Sequence, residues 1–428
     1  MTTAILDLSD RRRWSVVALV MGFTALAQFN RVSISVAGSE VFIPRYNISE
    51  TAMGSIYTAF LIIYTIGMVP SGWLIDRIGS SRVMVLLALS MGLLVALVAP
   101  LGWIGLTGAG LWWGLMLLRS ITGLSSAPLH PGAAHIVSEI VPVRGRATAN
   151  GLVTAGALVG ISCCYPVFGK LIDLFQWPAA FLICGMTLVA YGLAWQWLAA
   201  PVLPHRPHSP PTPGSASTPS IDWDLLRRPH LWLVTLSYAA YGYFQYLFFY
   251  WMGYYFEKVL QVGTAESRQS TFIILMAQGV GMAAGGWSTD VLCRRFGSTL
   301  GRRLIVMTGM GLGALFALGA VFLETRQEVT VALALSMAAL GICEGVFWTT
   351  ATEVGGRSRG FAGAFMNAGG NVGGLFSPVL TPALAESIGW PGAITAACAV
   401  SGVGGLVWLF IRTPGERQET REATRVEA

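Results

Sequence analysis

Apolar windows of spanning length follow one another along almost the whole chain, at about residues 14–39, 52–75, 83–104, 109–137, 147–170, 177–199, 230–252, 270–291, 303–323, 329–352, 360–383 and 390–411. A hydrocarbon core takes ~20 apolar residues per helix and forces every backbone amide to bond within its own segment, so each window predicts a transmembrane helix. Twelve windows with short connections leave no room for a soluble domain. The mean hydropathy of +0.62 and a charged fraction of only 11% say the same. The expected fold class is an all-α membrane protein with twelve transmembrane helices in two pseudo-symmetric six-helix bundles around a central cavity.

Orientation follows from arginine and lysine placement. A net charge of +6 and a pI near 9.1 would suit a nucleic-acid binder, but the charges are scattered among loops. With the N-terminus inside, the even-numbered loops carry Arg77, Arg82, Arg144, Arg146, Arg227, Arg228, Arg294, Arg295, Arg302, Arg303, Arg357 and Arg359. The opposite loops carry only Arg45, Lys258, Arg268 and Arg326, with Lys170 at a span end. The positive-inside rule then places both termini on the cytoplasmic side. Arg11-Arg12-Arg13, an apolar run and Ala25-Leu26-Ala27 imitate a signal peptide, but the run continues to spanning length and reads as a retained first span.

Several chemistries are excluded by what is missing from the sequence. There is no phosphate-cradling GxxxxGK[ST] loop, no GxSxG elbow and no HExxH pair. The six cysteines show neither CxxC nor metal spacing. No enzyme activity, cofactor or metal is expected, and the partners are the lipid bilayer and a small solute, with no nucleic acid and a monomeric chain.

The chain divides into a bundle at 1–200, a Pro/Ser/Gly-rich cytoplasmic linker at 201–228, a second bundle at 229–412 and a charged tail at 413–428. The halves echo each other. Span two ends Ser71-Gly72-Trp73-Leu74-Ile75-Asp76-Arg77 and span eight ends Gly285-Gly286-Trp287-Ser288-Thr289-Asp290, each followed by arginines. Span four runs into Ser138-Glu139 and Arg144-Gly145-Arg146, and span ten into Thr352-Glu353 and Arg357-Ser358-Arg359. Such repeats are a mark of carriers built from duplicated bundles. Asp76, Arg77, Arg82, Glu139, Arg146, Asp290 and Glu353 are therefore read as a clasp at the cytoplasmic face, whose ion pairs must break when the bundles rock apart.

Within the first span, Asn30-Arg31-Val32-Ser33 puts a guanidinium where hydrocarbon would otherwise surround it. An arginine deep in a bilayer costs about 3 kcal/mol on insertion scales and by default faces water or a partner. Its planar fork fits a carboxylate, so Arg31 is the expected anchor for an anionic solute. Snorkelling to the surface is the plainer alternative.

Gly72 to Arg82 resembles the loop signature of the major facilitator superfamily. Asn30 to Ala37, Gly54, Tyr64-Thr65-Ile66-Gly67-Met68-Val69-Pro70-Ser71-Gly72, Ala127-Pro128-Leu129-His130-Pro131-Gly132, Phe347-Trp348 and Met366-Asn367 with Gly370-Asn371 are similar to its anion:cation symporter family, which carries sugar acids, phthalate and sialic acid. The resemblance implies anion binding by Arg31 and Tyr64, and uptake of a small organic anion by alternating access with proton coupling. Two departures stand out. Where the family often has an aspartate and a glutamate for coupling, this chain has Asn30 and Ser126, which do not titrate near neutral pH. Glu344 in span ten and His130 in span four are the replacement candidates. Tyr241 and Gln245, one turn apart in span seven, with Trp348 and Asn367, are expected to shape the pocket. An exchanger or facilitator without proton coupling, and a non-transporting receptor on the same fold, are the alternatives.

Overall fold

The computed structural model describes residues 9–199, 203, 223–355 and 359–411, leaving out the side chains of 69, 73, 76, 143–148, 223, 224 and 359–361. It forms two compact units, Met1–Ala216 with Gly263–Phe272, and Ser217–Val262 with Ile273–Ala428. All regular structure among the described residues is helical.

In the first unit, span one is Asp10–Ala37, prolonged through a π-helical turn, Gly38–Phe42, into Ile43–Tyr46. Span two is Glu50–Ile78, and span three is Ser80–Ala96 continued by Val98–Trp103. Span four is broken into Gly108–Ser126 and Leu129–Ile140. Spans five and six run as Val143–Leu198, interrupted only at Gln176 (φ 64, ψ 160). The other unit repeats this plan. Span seven, Pro229–Tyr254, ends in a π-helical turn, Tyr255–Val259. Spans eight and nine are Thr264–Phe296 and Ser298–Ala320, and span ten is broken into Arg326–Ile342 and Glu344–Gly355. Spans eleven and twelve run as Arg359–Leu406 with a single kink at Gly389 (φ 75, ψ 162).

Seven helical segments among the described residues are long and apolar enough to cross a membrane, and two of these, Ala149–Leu198 and Ala362–Phe410, are the kinked pairs. Spans four, seven and eight fall below that hydropathy because they carry Arg119, a tyrosine-rich stretch at 238–255, and glycine with Gln278. Polar spans of this kind are where binding chemistry is expected.

The sequence windows at 109–137 and 329–352 predict unbroken helices, and the structure breaks both. Pro128 has no N–H and its ring would collide with the carbonyl four residues back, so the helix restarts at Leu129. The break in span ten coincides with Cys343, whose N–H bonds back to Leu340 in a tightened turn between Gly341 and Gly345. The reversals at Gly79 (φ 88) and Gly297 (φ 82) occupy matching places between spans two and three and spans eight and nine, in a backbone region that favours glycine.

Side chains repeat as well. Arg13 Nε donates to the Ile140 carbonyl at 2.7 Å, and Arg228 donates to the Val354 carbonyl at 2.8 Å, each joining the start of a unit's first span to the end of its fourth. Glu139 accepts from Ser80 Oγ at 3.2 Å and faces His135 at 3.6 Å. Its counterpart Glu353 takes both arms of Arg302 at 2.6 and 2.7 Å. Helix contact rests on small residues, as it must where lipid supplies no hydrophobic drive between helices. Gly160 of span five lies so close to the Ala25 carbonyl of span one that a Cβ would collide with it, and Gly373 of span eleven stands likewise on Ala239 of span seven.

Candidate functional site

Arg31 is half-buried on span one, with its guanidinium carbon 5.1 Å from the ring centres of both Phe60 and Tyr64 on span two. Those two rings are one helical turn apart and stack at 5.9 Å with an 11° tilt. A cation over aromatic faces is attracted by their quadrupoles, which orients the fork. Arg119 on span four, only 2% exposed, lies 4.7 Å from the Phe60 ring and donates to the Arg31 carbonyl at 2.7 Å. It fixes the backbone that carries Arg31 and adds positive potential behind it.

The neighbours of Arg31 are amides and hydroxyls. Asn30 donates to the Leu26 carbonyl at 2.9 Å, while its buried Oδ1 has no hydrogen-bond partner. Ser126 donates to the Gly123 carbonyl at 3.0 Å. Gln28 Nε2 meets His130 Nε2 at 3.0 Å. The sequence reading of Asn30 and Ser126 as non-titrating positions thus has a structural counterpart: both side chains are tied back to their own helices.

A second polar cluster lies in the other unit. Glu344 opens the second half of span ten, and its Oε1 accepts from Tyr238 at 2.8 Å and from Trp348 Nε1 at 3.0 Å, while Oε2 is buried without a hydrogen-bond partner. Tyr238 stacks on Tyr241 at 5.3 Å, and both rings pack on Phe347. Tyr241 is fully buried and accepts from Gln278 Nε2 at 3.3 Å. Tyr241 and Trp348, expected in the pocket, thus lie in one cluster with Glu344, expected separately as a proton-coupling candidate. Gln245 and Asn367 are half-buried and stand outside this hydrogen-bonded group.

Of the residues read as a clasp, Arg77, Arg82 and Asp290 are exposed, and Glu139 and Glu353 are engaged within their own units as described above. The side chains of Asp76 and Arg146 lie outside the described residues. A groove of about 290 Å³ between spans two, three and four is lined mainly by Leu74, Leu86, Leu87, Leu124 and Pro128 and contains none of the candidate residues.

Sequence reading counted Arg268 only as an outer-loop cation and missed its ion pairs. Arg268, in the first turns of span eight that belong to the first unit, donates to Glu40 at 2.8 and 2.7 Å and to Asp173 at 2.5 and 3.0 Å. Glu40 is placed by the π-helical turn after span one, and the arginine stem lies against Gly169 of span five. The signal was available as three charges near outer span ends, but nothing in their spacing pairs them. Phe60, Gln28, Tyr238 and Gln278 were also missed, although Phe60 stands one turn before Tyr64.

Over 90% of both chains, the protein is 28% identical to a probable sulfoacetate transporter of Cupriavidus necator. It is 24% identical to a D-galactonate transporter of Escherichia coli, covering 94% of this chain and 96% of that one. A probable galactarate/D-glucarate transporter of Bacillus subtilis is 23% identical, covering 88% of this chain and 86% of that one. Among solved structures, an inward-facing, occupied bacterial homologue of the human lysosomal transporter Spinster superposes with a TM-score of 0.74 at 14% identity, covering 94% of this chain and 97% of that one. Residues 17–352 and 291–428 match the profile of the Major Facilitator Superfamily, and the chain belongs to that superfamily of multi-pass membrane transporters.

Proposed function

We propose that this transporter moves a small organic anion, a carboxylate of the sugar-acid class, across a bacterial inner membrane by alternating access, with both termini cytoplasmic and the monomer as the working unit. The observation that carries this reading is Arg31: a half-buried guanidinium held against Phe60 and Tyr64, braced through its own carbonyl by Arg119. Such a fork binds a carboxylate bidentately, and a low-dielectric setting strengthens the bond. Tyr64, Tyr241, Gln245, Trp348 and Asn367 supply aromatic faces and polar groups for a hydroxylated acid. The named solutes of the relatives are all acids, which supports the same class.

At the cytoplasmic face Glu139 and Glu353 brace span ends of their own units, and an exchange of these partners in another state would bias the rocking equilibrium. Glu344 and His130 are the groups that give uptake a proton to follow. Proton-independent exchange is the second reading, favoured by Asn30 and Ser126, which are tied back to their own helices and offer no carboxylate. A thermal-shift screen of purified protein against galactonate, glucarate, sulfoacetate and the neutral sugar galactose tests the anion reading. The acids are expected to raise Tm for the wild type, and Arg31→Ala is expected to abolish the shift. Stabilisation by galactose alone would overturn the assignment.

A further inference from the structure

Gln28 is 4% exposed, and its Nε2 meets His130 Nε2 at 3.0 Å while its Oε1 is buried with no hydrogen-bond partner. A buried amide oxygen without a donor costs about 1–3 kcal/mol, so this pair is one N–H short of satisfaction. Arg31 lies three residues beyond Gln28, on the same face of span one and one turn away. The other charged groups nearby are turned elsewhere: Arg119 donates to the Arg31 carbonyl, and Glu139, further along the helix of His130, faces His135 and Ser80.

We propose that His130 is the proton carrier coupled to anion binding at Arg31, with Gln28 as the residue that positions it. The proposal rests on the reading of Arg31 as the anion anchor. A protonated His130, held by Gln28 one turn from Arg31, would be repelled by that guanidinium in a low-dielectric interior. An anion on the Arg31 fork cancels that repulsion, and the imidazole then takes one proton from the water the site faces. An N–H bond forms at Nε2, no electrons are exchanged, and the Gln28 amide turns over so that Oε1 accepts the new N–H. When the anion leaves on the other side the repulsion returns and the proton goes to water there, one proton for each anion. An amide is suited to this position because its two ends serve either state of the ring, as donor to the neutral nitrogen or acceptor from the protonated one. A carboxylate at position 28 would instead neutralise Arg31 permanently.

The test uses full-length protein in proteoliposomes with labelled galactonate as the probe, reading counterflow at equal pH and accumulation driven by an inward proton gradient. Wild type is expected to do both. His130→Asn is expected to lose gradient-driven accumulation at least tenfold while counterflow stays within about threefold. Gln28→Met is expected to displace the pH profile of accumulation by at least half a pH unit. Gradient-driven accumulation by His130→Asn at the wild-type level overturns the proposal and leaves the anion reading standing. Equal loss of counterflow and accumulation in His130→Asn also overturns it, since that is what a packing role gives. A wild type that neither exchanges nor binds galactonate, glucarate or sulfoacetate overturns the anion reading itself.

Discussion

Arg31 shows how a single side chain takes its orientation from its setting. Its neighbours are two stacked rings and a second arginine bonded to its carbonyl, so its orientation is set by faces and backbone. Arg31→Lys keeps the charge and loses the planar fork. We expect anion affinity, measured by titration calorimetry, to fall at least tenfold for lysine and below detection for alanine. Ser237 in the other unit is a purely structural counterpart. It is fully buried, donates to the Gly404 carbonyl at 2.7 Å and accepts from Trp408 Nε1 at 3.0 Å. Ser237→Ala strands both partners and is expected to cost about 1–3 kcal/mol, read as a lower Tm with anion affinity unchanged. The place of Arg31 inside a span was legible in the sequence because a lone cation stands out in an apolar window. Ser237 was not, because a buried serine looks like any other until its partners, 167 and 171 residues away, are known.

At the scale of elements, the apolar windows located the spans, and the breaks inside them were less visible. Pro128 announces its break, whereas the Cys343 turn depends on packing of the span against Ile305 and Val306, and no local rule predicts it. The kinks at Gln176 and Gly389 replace loops that the windows at 147–170 and 177–199, and at 360–383 and 390–411, had left between spans. Close approach gives a sharp prediction. Gly373→Val would drive a branched side chain into the Ala239 carbonyl, and overpacking of this kind costs about 1–3 kcal/mol or more. The expected result is a lower Tm, and an unchanged Tm would contradict the packing described. The tie at Arg268 is testable in the same way. Glu40→Gln removes one of its two carboxylates, so the loss stays below the ~3–5 kcal/mol of a fully stranded buried charge. Hydrogen exchange in residues 264–272 should accelerate at least tenfold, and unchanged protection would show that the tie holds nothing.

At the scale of the molecule, the duplication is the feature that sequence and structure share most fully. The Asp, Glu and Arg repeats at the ends of spans two, four, eight and ten were legible because charges are rare in this chain and stand out at fixed span numbers. The structure adds matched breaks, matched glycine reversals and matched arginine-to-carbonyl bonds, the last of which sequence could not show because they pair residues more than a hundred positions apart. The orientation drawn from arginine placement is checked on a cysteine-free background. A cysteine at position 82 is expected to react with an impermeant maleimide only in inside-out vesicles, and one at position 326 only in right-side-out vesicles.

The most direct test of the account is uptake of labelled galactonate into proteoliposomes by wild type and by Arg31→Ala, with the variant's folding checked by size-exclusion profile. Saturable uptake by wild type that drops to the level of protein-free liposomes in Arg31→Ala is the predicted result. Equal saturable uptake by both proteins would contradict it.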